Sequence, residues 1–247
     1  MNVTFLRVLR SEWTKLSSLR SNWLVLAGVP IAFTGLSAVI GANSQDRPVD
    51  PTLAVGGGFL LYALAVGVLG LLMMTGEHHS GLIRSTLCAV PRRLPVLCAK
   101  AALLVGAVGP LMVIAYFAAF LANQAFADHP VTLDDAGIVR ALFGAAGATT
   151  AAGLMGLALG TMVRSTPASI AAYVVGLVVL PPVLLGALPA SVQDTVMPYF
   201  PTLALQGMFQ VGPAQAMFRP GVAGLVVLAW VMLMLAGAAV VLRRRDV

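Results

Sequence analysis

Apolar residues run along this chain in six long blocks separated by short polar connections. Each block has the length, roughly 20 residues, that a helix needs to cross the hydrocarbon core of a bilayer. The pattern predicts spans at about 23–42, 54–75, 101–122, 141–163, 168–188 and 221–242. Gly56, Gly57 and Gly58 open the second span, Pro110 predicts a kink in the third, and Pro181-Pro182 breaks the fifth. In the fourth, Ala145, Thr149 and Gly153, and likewise Ala152, Gly156 and Gly160, recur every four residues. Gly153, Gly156 and Gly160 are the expected points of close helix packing. The first span is too long for a signal-peptide core and a further apolar run follows, so it reads as mature structure. The expected organisation is one transmembrane domain over 1–247, all-α and polytopic.

Two shorter patterns add to the spans. Phe5, Leu9, Trp13 and Leu16 recur at helical spacing, with Arg7, Arg10, Glu12 and Lys15 on the other side. This predicts an amphipathic helix over about 4–20 lying in the bilayer interface, its basic residues towards anionic headgroups. The longest connection joins the fifth and sixth spans. Its middle, Tyr199 to Val211, is apolar but only about thirteen residues long, too short to cross, and reads as a re-entrant or interfacial segment.

Composition agrees: 59% of residues are hydrophobic and 10% charged, which excludes an ordinary soluble domain. The isoelectric point near 10.0 would suggest nucleic acid for a soluble protein. Here it follows from sidedness, and no nucleic-acid partner is expected. With both termini in the cytoplasm, twelve of the fifteen Lys and Arg residues lie inside; Arg47, Arg140 and Arg219 lie outside. That asymmetry sets the expected orientation. Cys88 and Cys98 then face a reducing compartment, ten residues apart, and predict neither a disulfide nor a metal site.

Catalytic chemistry is missing. His78 and His79 are adjacent and do not share a helix face, and His129 stands by itself beside Pro130. The predicted spans hold no ionisable residue away from their ends, which argues against an ion-coupled carrier and a charged pore. A nucleotide-binding Walker A loop needs Gly-Lys followed by Ser or Thr, but Lys15 and Lys100 follow Thr14 and Ala99. The chain is therefore expected to be no enzyme and to hold no cofactor. If ATP drives it, another polypeptide binds and hydrolyses the nucleotide.

One charged, proline-broken insert separates the second and third spans: T-G-E-H-H-S-G-L-I-R-S-T-L-C-A-V-P-R-R-L-P-V-L-C-A-K, Thr75 to Lys100. Within it, Gly81 to Val90 reads as a short helix with Leu82, Ile83, Thr86 and Leu87 on one face. Pro91 ends it and Arg92-Arg93 follow. Such a helix can press its apolar face into a groove on a partner. A basic loop that only sets topology would not require that face.

The amino-terminal R-V-L-R-S-E-W-T-K-L, this insert with its V-P-R-R, and the closing R-R-R-D resemble permease subunits of ABC-2 type transporters. The nearest likeness is to small bacterial six-span permeases without a fused ATPase. It covers essentially the whole chain, and the insert is its most specific part. The resemblance implies two permease subunits, identical or sibling, in a bacterial inner membrane with two ATP-binding subunits docked below. It makes Phe5 to Leu19 an interfacial elbow, Glu77 to Val90 a coupling helix, and roughly Val196 to Phe218 an outward re-entrant hairpin. Glu77, Arg84, Arg92 and Arg93 are then expected to couple to the ATPase, with Leu82, Ile83 and Leu87 as the docking face. His78 departs from the aromatic that many relatives carry there. The implied function is ATP-driven export, and the aliphatic and glycine-rich lining expected near the first, second and fifth spans suits a hydrophobic or amphipathic substrate. The competing expectations are a membrane anchor or sensor that recruits a cytoplasmic partner, and an ion-coupled secondary carrier.

Overall fold

Side chains that offer the backbone no hydrogen bonds leave it to satisfy itself, and all regular structure among the described residues is helical. The computed structural model of the protein describes residues 4–18, 20–43, 50–79, 94–128, 130–212 and 218–244. An amphipathic helix, α1 (Phe5–Ser18), comes first. Five helices long and apolar enough to cross a membrane follow: α2 (Leu24–Ala42), α3 (Pro51–Glu77), α4 (Leu94–Phe126), α5 (Ile138–Val163) and α6 (Thr166–Ala187). Two short helices, α7 (Ala190–Val196) and α8 (Pro201–Gly207), lead to the sixth such helix, α9 (Pro220–Arg244). Among the described residues six helices are thus long and apolar enough to cross a bilayer, the pattern of a multi-pass membrane protein. The end of the bundle where α3 finishes and α4 starts is called basal here, and the opposite end apical.

α5 is the central helix. In its most apolar stretch 67% of the residues are buried, against 17%, 17% and 22% for α2, α6 and α9, which lie at the periphery. Its glycines explain this position. A Cβ on Gly156 would collide with the carbonyl oxygen of Gly67 on α3, and one on Gly70 would collide with the carbonyl oxygen of Gly153. A Cβ on Gly160 would lie 2.7 Å from Leu71 O. α3 and α5 therefore meet backbone to backbone, an approach that only small residues permit.

Three spans contain a wide π turn, at Leu24–Gly28, Leu104–Val108 and Val175–Val179. Pro30, Pro110 and Pro181 each stand two residues beyond one of them. Proline has no N–H and its ring crowds the preceding turn, so the helix widens ahead of it. In α6 the consequence is explicit. The donors that would reach the Leu177 carbonyl, four or five residues on, are Pro181 and Pro182, and neither has an N–H. Thr202 on α8 takes their place, its hydroxyl donating to Leu177 O at 3.1 Å.

That bond is one of several that tie the α7–α8 segment into the apical end. Trp230 Nε1 donates to Tyr199 O at 2.9 Å. Thr52 Oγ1 donates to Val211 O at 3.2 Å, and Val211 N donates back to Thr52 Oγ1 at 3.1 Å. Arg140, near the start of α5, donates from its two terminal nitrogens to Met208 O (3.3 Å) and Gln210 O (2.5 Å). Gly137, in the left-handed region at φ 90°, turns the chain into α5 beneath that guanidinium.

The expected third span, 101–122, lies within α4, which begins at Leu94 and at 33 residues is longer than a hydrocarbon core requires. Lys100, six residues into α4, is buried.

Candidate functional site

The largest departure from an apolar bundle lies at the basal end. α1 packs along the first turns of α4, where Val8 is buried against Val96 and Ala99, with Leu9 alongside. Val8, Glu12 and Leu16, at four-residue spacing, form the buried stripe of α1. Phe5 and Trp13 are about half exposed. The inward face is thus offset from the expected Phe5, Leu9, Trp13, Leu16 set, with Leu16 common to both. The end of α1 is capped from the chain that follows it: Asn22 Nδ2 donates to Leu16 O at 2.9 Å and Trp23 Nε1 to Ser17 O at 2.8 Å. These bonds satisfy carbonyls that a helix end leaves unpaired, and they fix the elbow between α1 and α2.

The inward stripe carries Glu12 to the mouth of α3 and α4, where four charges converge. Lys100 Nζ lies 2.5 Å from Glu12 Oε2 and 2.6 Å from Glu77 Oε1. Lys15 Nζ lies 2.7 Å from Glu12 Oε1 and 3.0 Å from Glu77 Oε1. The Lys100, Glu12 and Glu77 side chains are 2%, 2% and 9% exposed, and Lys15 is 32% exposed. Among the described residues, two ammonium groups and two carboxylates alternate, so these four charges balance. Neutrality is what makes its burial tolerable, since an unpaired buried charge costs several kcal/mol. Burial works against the charged form of Lys15. The carboxylates of Glu12 and Glu77 outweigh it and hold its pKa above the ordinary 10.5.

The cluster bolts three chain segments together: the interfacial helix, the last turn of α3 and the first turns of α4. The last two flank residues 80–93. Of the residues expected to couple to an ATPase, Glu77 lies in the cluster, its carboxylate turned towards Lys100 and Lys15. Arg84, Leu82, Ile83, Leu87, Arg92 and Arg93 fall outside the described residues, as does Cys88. Gly153, Gly156 and Gly160 all face α3. Cys98, on α4, is a free thiol at an exposed position. Among the described residues, no three His, Cys, Asp or Glu side chains converge to hold a metal ion.

Glu12 and Lys100 were not expected to be site residues. A signal for Glu12 exists in hindsight: it sits between Val8 and Leu16 at four-residue spacing, an acid in an apolar stripe. Lys100 has none beyond its place in an apolar run, because its partner Glu12 is 88 residues away in sequence.

No protein-family model matches the chain, and comparison with curated proteins finds no match.

Proposed function

We propose that this chain is the membrane-spanning permease subunit of an ABC-2 type transporter, exporting a hydrophobic or amphipathic substrate and driven by a separate ATP-binding subunit. The observation that carries this reading is the buried Glu12–Lys15–Glu77–Lys100 cluster. A cytoplasmic segment that is to pass force from an ATPase to the spans needs both its ends fixed to something rigid. Residues 80–93 leave from Glu77's helix and return into Lys100's, and each of those helices is clamped to α1. Movement of the segment is then passed to α1 and to the bases of α3 and α4 together.

In this reading both termini are cytoplasmic, in agreement with the Lys and Arg asymmetry, and the basal end faces the cytoplasm of a bacterial cell. Arg84, Arg92 and Arg93 meet the ATPase, Leu82, Ile83 and Leu87 fill its groove, and Glu77 acts by holding the segment's origin. Residues 196–218, which include α8, serve as the outward re-entrant hairpin. A second permease, identical or sibling, completes the membrane unit, and ATP is bound only by the partner.

The cluster also supports a second reading. Intramembrane ionisable groups are what ion-coupled carriers use to bind and release protons. Lys100, however, is six residues into α4, about 9 Å from its start and far from the midplane where carriers place such sites.

The deciding experiment is purification of the tagged protein in mild detergent with identification of what accompanies it. A stoichiometric ATPase bearing a Walker A loop, lost from an Arg84→Ala/Arg92→Ala/Arg93→Ala variant, is the expected result. Flux that ignores ATP depletion and collapses with the ion gradient would overturn it for the carrier. Partner binding with no ATP-dependent flux would overturn it for an anchor or sensor.

A further inference from the structure

A groove of about 400 Å³ runs down the side of the bundle between α4, α5 and α9, away from the charge cluster. Its floor is made of small residues, among them Gly109, Ala146, Gly147 and Gly224. Its lips, Val105, Phe143 and Leu228, are each more than half exposed, so it opens sideways to the surroundings of the spans. The hydroxyl that reaches the groove, Thr150 Oγ1, is turned back to Ala146 O at 2.8 Å, which leaves the wall apolar.

Dimensions decide what fits. On α5 the groove extends from Phe143 to Leu154, eleven residues or about 16 Å. That is close to the depth of one leaflet, half of a hydrocarbon core about 30 Å thick. A groove of this length and of about 400 Å³ accommodates a single polymethylene chain laid along it.

The upper end is marked by charge. Arg140 lies three residues, about 4.5 Å, above Phe143 on the same helix. Met208 links the two features: its carbonyl accepts from Arg140, and its side chain lines the groove. The guanidinium is exposed and has no carboxylate within ion-pair distance among the described residues. Two backbone carbonyls orient it, and its remaining N–H donors are open to an acceptor.

We infer that this groove is a binding site for an anionic phospholipid, one acyl chain lying between α4, α5 and α9 and the headgroup phosphate paired with Arg140. An arginine fork is suited to phosphate oxygens, and its height above the groove matches that of a headgroup above its acyl chain.

Native mass spectrometry of delipidated protein titrated with phosphatidylglycerol or phosphatidylcholine tests the site. The wild type is expected to take up one phosphatidylglycerol in preference to phosphatidylcholine. Gly224→Trp places a ring in the groove from α9, where nothing lies within 4 Å of a new Cβ, and Gly109→Leu fills it from α4. Either plug is expected to weaken retention by about tenfold or more, since the chain's buried methylenes supply most of the affinity. Arg140→Gln is expected to leave the chain bound but abolish the headgroup preference. A wild type that takes up no phosphatidylglycerol, or plugged variants that elute as folded protein and bind it as the wild type does, would overturn the assignment. So would plugs that split a dimer while lipid uptake stays unchanged, which gives the groove to a second copy.

Discussion

Removing Lys100 tests the clamp most directly. Lys100→Met keeps the length of the side chain but leaves Glu12 and Glu77, both buried, with Lys15 as their only lysine in the cluster. Breaking a buried ion pair by deleting one partner costs about 3–5 kcal/mol, because a charge is left uncompensated. Against this, α1 is held by the burial of Val8 and Leu16, which together contribute about 3–6 kcal/mol. The two magnitudes are comparable, so the variant brings α1 close to the point of release while the six spans stay inserted. Two readouts follow α1 alone: trypsin cleavage after Arg7 or Arg10, which helix protects, and the emission of Trp13. Both should shift in Lys100→Met. Adding Glu12→Leu leaves one ammonium and one carboxylate, Lys15 and Glu77, 3.0 Å apart. That double variant should recover most of the protection, since an apolar replacement of a buried pair is often neutral or stabilising. If Lys100→Met keeps α1 as protected as in the wild type, the clamp does not exist as described. If the double variant is worse than the two single changes added together, the charge accounting is wrong.

Three further outcomes are expected. Gly156→Leu should separate α3 from α5, because even a Cβ there collides with the Gly67 carbonyl oxygen, and overpacking of this kind costs about 1–3 kcal/mol or more. Loss of monodisperse elution or a lowered melting temperature measures it, whereas Gly28→Leu, where a Cβ meets nothing within 4 Å, should be silent. Thr202→Val strands the Leu177 carbonyl beneath Pro181-Pro182 and should lower stability by about 1–3 kcal/mol, read by thermal melting with Thr195→Val on an exposed surface as the control. The raised pKa of Lys15 means that its attraction to Glu12 and Glu77 is fully present below the ordinary value of 10.5 and is lost only as pH rises through the higher folded value. Trp13 emission should therefore be flat through the neutral range and change only in strong alkali.

The spans were legible because a bilayer imposes a length and an apolarity that no other environment imposes over so many residues, and the small-residue tracks of α5 could be read for the same reason. The charge cluster was not, because hydropathy is local and compensation is not. Lys100 looks like the edge of the water until Glu12 and Glu77 are brought to it, from 88 and 23 residues away. The inward stripe of α1 was hidden on related grounds: Val8 and Leu16 flank the acid that enters the protein, while Phe5 and Trp13, expected in its interfacial apolar face, stay about half exposed. The role of Thr202 was hidden too, since its purpose depends on two prolines twenty and more residues earlier in the chain.

The clamp also imposes an order on biogenesis. α1 leaves the ribosome ahead of α3 and α4, carrying Glu12 and Lys15, yet the residue that completes the cluster is synthesised 88 positions later. At about 5–20 residues per second, that is a wait of roughly 4–18 s. Throughout it, α1 can rest only at the surface of the bilayer, where water still solvates its carboxylate, and its amphipathic character suits it to that place. The helix becomes part of the protein when the third span arrives with its lysine, so the docking of α1 marks the moment at which the first half of the bundle has been correctly threaded.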